Sequence, residues 1–114
     1  MGRILTEQYI QIQITFPTSE SANNMATKLV REKLVACAQV CGTVQSVYTW
    51  KGVCENSKET LLLAKTTLAL FEHVESAVRA DHPYECPQIV ALPIVIANTD
   101  YLTWLSGQLC EESP

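Results

Sequence analysis

Two runs in this chain, Leu61-Leu62-Leu63-Ala64 and Ile89-Val90-Ala91-Leu92, are apolar at every position. Extended backbone sends successive side chains to opposite faces, so each run presents hydrocarbon to both sides of any sheet it joins. A strand with one wet face alternates instead, and one segment does so strictly. Ile10, Ile12, Ile14 and Phe16 share one face, with Gln11, Gln13 and Thr15 on the other. The sheet therefore needs cover on both sides. Leaving several leucine-sized side chains wet would forfeit roughly 1.5–3 kcal/mol each.

Helices supply cover for one side. Pro17 ends the first strand and Thr18 caps a helix in which Ala22, Met25, Ala26, Leu29 and Val30 recur at helical spacing. Glu20 in its first turn, with Lys28, Arg31 and Lys33 towards its end, follows the sign of the helix dipole. Residues 35–44, continuing through 47–50, read as a second strand. Lys51-Gly52 supplies a hairpin turn, and a third strand runs most clearly over 59–66. Thr67 is placed to cap a second helix with Leu70, Phe71, Val74, Ala77 and Val78 inward, and Pro83 stops it. Residues 89–97 form a fourth strand that Pro93 confines to an edge or a bulge. Thr99 or Asn98 opens a last helix bearing Tyr101, Leu102, Leu105 and Leu109.

The order β-α-β-β-α-β plus a C-terminal helix is a doubled split βαβ unit of the α+β class, with both long helices on one face of a four-stranded antiparallel sheet. The last helix hides part of the other face. A second copy of the chain is expected to hide more, which predicts an obligate homo-oligomer.

The chain has 114 residues, 47% hydrophobic and 18% charged, which suits a single domain over 8–110, with a lead-in at 1–7 and a tail at 111–114. Eight basic against twelve acidic residues give a net charge of -4. That balance argues against a nucleic-acid binder, which needs a basic face to release counterions. No apolar run is long enough to span a bilayer, and the first residues lack the apolar stretch of a signal peptide. Met1-Gly2 and Thr6 touch on an acylation pattern, but one acyl chain without a polybasic partner anchors weakly, so no membrane partner is expected.

Five cysteines, Cys37, Cys41, Cys54, Cys86 and Cys110, are odd in number and irregular in spacing. They read as reduced thiols of a cytoplasmic protein. Cys37 and Cys41 share a strand face but lie about 13 Å apart, too far to chelate one ion together.

Five ordered segments carry a resemblance: Lys33-Leu34-Val35-Ala36-Cys37-Ala38, Tyr48-Thr49-Trp50-Lys51-Gly52, Glu59 through Lys65-Thr66, His82-Pro83-Tyr84-Glu85-Cys86-Pro87, and Asp100-Tyr101-Leu102-Thr103-Trp104-Leu105. Together they resemble the CutA family of divalent-cation tolerance proteins over nearly the whole chain. The resemblance implies a ferredoxin-like protomer, similar to the PII signalling proteins, assembled as a homotrimer in the cytoplasm and serving tolerance of copper and other divalent metals. It further implies copper ligands at a cysteine near the end of the first strand and at two adjacent histidines before Pro-Tyr. Ile14 and Asp81 occupy two of those positions here, and only His82 matches. The thiolate that favours Cu(I) is missing, which leaves Cu(II) or another divalent metal, weakly held.

His82 has two readings: a metal ligand with Asp81, Glu85 or Cys86 nearby, or a ring that caps helix carbonyls and packs on Tyr84. Trp50, Tyr48, Tyr84, Tyr101 and Trp104 are either core and interface anchors or the lining of a subunit cleft. Glu59 and Lys65 would supply its charge. They share a strand face about 20 Å apart, too far to pair within one chain, which leaves a contact across subunits open. Enzyme chemistry has little support: Gly2, Gly42, Gly52 and Gly107 are isolated, and a Cys86–His82 pair lacks an orienting third group. The expectation is a non-enzymatic binding protein; the alternative is a PII-like regulatory or scaffold module for a small anionic ligand or a partner protein.

Overall fold

The strict alternation of Tyr9–Phe16 becomes β1, one of the two inner strands of a four-stranded antiparallel sheet ordered β2-β3-β1-β4. A computed structural model describes residues 8–111; the expected lead-in at 1–7, including Met1-Gly2, and tail residues 112–114 lie outside the described residues. The elements follow as α1 (Ser19–Arg31), β2 (Cys37–Trp50), β3 (Val53–Thr67), a 3-10 turn (Leu68–Leu70), α2 (Phe71–Asp81), β4 (Ile89–Ile94) and α3 (Thr99–Gly107). This is the ferredoxin-like order with one added helix.

The core lies between the sheet and the two long helices. Ile10, Ile12, Ile14 and Phe16 are buried with Leu62 and Ala64 of β3, against Ala22, Met25 and Leu29 of α1 and Val74 and Val78 of α2. Thr18 caps α1 through its side-chain oxygen, which accepts from the Ser21 N–H at 3.0 Å. Lys28 of α1 pairs with Asp81 at the end of α2 at 2.7 Å.

Several local expectations are corrected; among them, β2 begins at Cys37 and not at Val35, and Leu109 lies beyond α3. Val30 is exposed, because one residue past Leu29 turns it about 100° away from the sheet. Lys33 lies beyond α1 in a left-handed conformation, φ 59°. Thr67 makes no side-chain cap, since the ladder with Tyr9 extends β3 to include it and α2 begins only after the 3-10 turn. The fourth strand stops at Ile94, where its partner β1 begins at Tyr9 and pairing runs out. Pro93 lies on β4, an edge strand, as its missing N–H requires. Asn98 holds the cap position of α3, but its amide donates to Asp100 instead of capping the backbone.

The opposite sheet face is only partly covered. At one end α3 lies over it: Tyr9 OH and Ser106 Oγ share a hydrogen bond of 2.9 Å, and Leu102 and Leu105 are buried. Further along, Val90 and Leu92 of β4 remain 43% and 46% exposed, across Gln11 and Gln13 of β1 from the half-buried Leu61 and Leu63 of β3. Beyond Thr60 the β2–β3 hairpin leaves β1 behind and continues as a two-stranded arm. Its tip turns through Lys51 (φ 51°) and Gly52 (φ 82°), both left-handed as a tight hairpin turn demands. At the root of the arm, Cys41 pairs with Leu61 and Thr43 with Thr60, so Gly42 is an extra residue in a β-bulge.

Candidate functional site

The bulge re-phases β2. Before it, Cys37, Gln39 and Cys41 share the open sheet face with Lys65, Leu63 and Leu61; after it, Val44, Ser46 and Tyr48 do so, opposite Glu59, Ser57 and Glu55. The arm thereby faces the segment after α2, and the two enclose a cleft of about 620 Å³. Trp50 and Tyr48 line it from the arm, Pro83 and Tyr84 from the loop, with Thr15 and Glu59 also in its wall.

Glu59 is a carboxylate only 7% exposed. Ser46 Oγ donates to its Oε2 at 2.6 Å, and the Tyr84 hydroxyl donates to its Oε1 at 2.9 Å. Three segments distant in sequence therefore meet on one carboxylate. Burial first, and then the bond to Glu59, hold the Tyr84 phenol protonated well above the ordinary range. Glu85 and Cys86 add polar atoms to the cleft, and no lysine or arginine lines it. The cleft is thus acidic and aromatic.

His82 stands behind this cleft. Its ring stacks on Phe16 with centroids 4.6 Å apart and lies 4.8 Å from the Tyr84 ring. The Tyr84 N–H meets Nδ1 at 3.1 Å, and Nε2 meets the Thr15 carbonyl at 2.8 Å. Accepting at Nδ1 requires Nε2 to carry the proton and donate to Thr15. Both nitrogens are engaged, so a metal ion would first have to break one of these bonds. The ring packs on Tyr84 as expected, but the carbonyl it binds belongs to β1 and not to a helix. Asp81 is held by Lys28. Among the described residues no three histidine, cysteine, aspartate or glutamate side chains gather to hold a metal ion. These residues do not fit a resident copper ion.

The other expected site residues lie at the far end of the same face. Lys65 donates to Gln39 Oε1 at 3.1 Å, and no ion pair joins it to Glu59 among the described residues. Tyr101 shares a 3.4 Å hydrogen bond with Cys37 Sγ; that bond, with burial, pushes its phenol up to about 12. Trp104 packs beside Tyr101, ring centroids 5.7 Å apart. The structure thus unites Trp50, Glu59 and Tyr84 and separates them from Lys65, Tyr101 and Trp104. Ser46 and Thr15 escaped the sequence reading; a lone serine past an unrecognised bulge carries no signal of which face it takes.

A family model described as CutA1 divalent ion tolerance protein matches residues 10–108. The chain belongs to the CutA1 family. It is 44% identical over 94 residues to the divalent-cation tolerance protein CutA of Thermus thermophilus, covering 82% of this chain and 91% of that one. The chloroplastic protein CutA of Arabidopsis thaliana is 38% identical over 98 residues, covering 86% of this chain and 54% of the relative. The crystal structure of CutA1 from Oryza sativa superposes with a TM-score of 0.90 at 34% identity, covering 94% of this chain and 98% of that one. The family model and the Thermus thermophilus relative are named for divalent-cation tolerance and not for an enzymatic reaction.

Proposed function

We propose that this chain is a non-enzymatic, homotrimeric binding protein of the cytoplasm that serves tolerance of divalent metal ions, copper among them, and holds its ligand in the Glu59 cleft at the seams between copies. The observation that carries the reading is the pair of uncovered apolar surfaces. One is the Val90–Leu92 side of the sheet; the other is the projecting arm with exposed Val47 and Val53. Patches of this kind on a small domain mark contact surfaces. An arm that reaches past its own sheet is suited to lie on the next copy. Five free cysteines support a reducing compartment. Copper enters as the ion to which the assembly responds, since the described side chains offer it no resident site. The acidic lining of the cleft gives the alternative of an anionic ligand no support there.

Sedimentation equilibrium of the untagged chain tests the assembly. The expected mass corresponds to three copies of the 12.7 kDa chain; a folded particle at the mass of one copy would overturn it.

A further inference from the structure

The cleft holds a buried charge whose partners are both neutral. A carboxylate offers about four acceptor positions, and the hydroxyls of Ser46 and Tyr84 occupy one on each Glu59 oxygen. They orient the group without cancelling its charge. Within one copy no cationic side chain pairs with Glu59 among the described residues, although burying a carboxylate is costly unless a cation meets it. Exposed Glu85 adds a second negative charge, so the ionisable carboxylates of the lining are not balanced by any lysine or arginine of the lining.

The walls define the rest of the ligand. Trp50, 42% exposed, and Tyr48, 43% exposed, present aromatic surface to the space. Trp50 already attracts one cation, Lys51 Nζ, 5.8 Å from its ring centroid. A volume of about 620 Å³ suits an organic molecule and far exceeds a bare ion.

We propose that the Glu59 cleft takes a small organic cation, an ammonium or amidinium group carried on a flat apolar body. The charged group meets the free acceptor positions of Glu59, and the body lies against Trp50 and Tyr48. This rests on the reading of the cleft as the ligand site.

Three probes of one shape and different charge test it: benzamidine, neutral benzamide and anionic benzoate, each titrated calorimetrically into the untagged full-length protein. Benzamidine is expected to bind roughly tenfold tighter than benzamide, with benzoate weakest. Glu59→Gln should bring benzamidine down to the level of benzamide. The wild-type series decides the matter unaided if that variant does not fold. Equal affinity for benzamidine and benzamide, a preference for benzoate, or no binding of any probe would overturn the proposal, as would a cation preference that survives Glu59→Gln. Sedimentation of the same samples separates the two readings. A trimer without charge preference overturns only the organic cation, whereas a single-copy particle that prefers benzamidine supports it and overturns the seam.

Discussion

The Tyr84 hydroxyl reaches the Glu59 carboxylate across 2.9 Å and so ties the loop after α2 to the root of the β2–β3 arm. Removing it by Tyr84→Phe leaves a buried oxygen with one partner fewer. The expected cost is about 1–3 kcal/mol, read from urea denaturation midpoints. Ser46→Ala should act on the same carboxylate, so the double variant should depart from additivity.

The two perturbed phenols predict an alkaline weakness. Unfolded tyrosines ionise near pH 10, while Tyr84 and Tyr101 in the folded chain hold their protons to higher pH. Their contribution is complete below the unfolded value. Above it the folded state binds more protons than the unfolded one, so stability falls as pH rises. Denaturation midpoints followed from about pH 8 to about pH 11 should decline, and Tyr84→Phe should make the decline shallower.

His82 is expected to matter for packing and not for metal. His82→Ala removes two hydrogen bonds and a stacked ring, at a cost of about 2–4 kcal/mol in denaturant. Calorimetric titration with Cu(II) should give equal heats for this variant and the parent. A heat lost with the imidazole would show that copper displaces the Thr15 or Tyr84 bond.

Leu92→Lys places a charge in the uncovered patch of β4. The expected outcome is a lower sedimenting mass at micromolar concentration, with the far-ultraviolet circular dichroism of the protomer kept. An unchanged mass would move the contact surface elsewhere.

The hairpin turn offers a gain. Both central residues have positive φ, and asparagine tolerates that conformation better than lysine does. Lys51→Asn should stabilise the arm by about 0.5 kcal/mol, whereas Gly52→Ala should cost about 1 kcal/mol or more. Thermal denaturation of the two variants checks both signs.

Most of the body was legible because its signals are local. Alternation in Tyr9–Phe16, the Thr18 cap and the stripe through Ala22, Met25 and Leu29 each follow from spacing within a few residues, and the structure has them in place. Element ends were harder, because a distant partner sets them. Thr67 belongs to a strand only because Tyr9 lies opposite, and β4 stops where β1 has no more backbone to offer.

The site was legible in part. Trp50, Glu59 and Tyr84 stood out as aromatic or charged residues at the ends of elements, and they do converge. Lys65 stood out for the same reason and lies at the other end of the face, held by Gln39. Spacing along one strand separated the two charges correctly, but it held no information on which one the loop after α2 would approach. The partner of His82 Nε2 is the Thr15 carbonyl, 67 positions away in the chain. No local pattern encodes it.

The surplus residue at Gly42 lets one continuous strand obey two masters. Side chains ahead of it keep step with Leu61 to Lys65, while those after it keep step with Glu55 to Thr60, the count between them differing by one residue. Excising that glycine would leave every downstream pairing partner in place and restore a regular ladder. What would vanish is the local bend, so the hairpin would swing to a new heading and part company with the loop it now meets, leaving the fold whole and the Glu59 cleft dismantled.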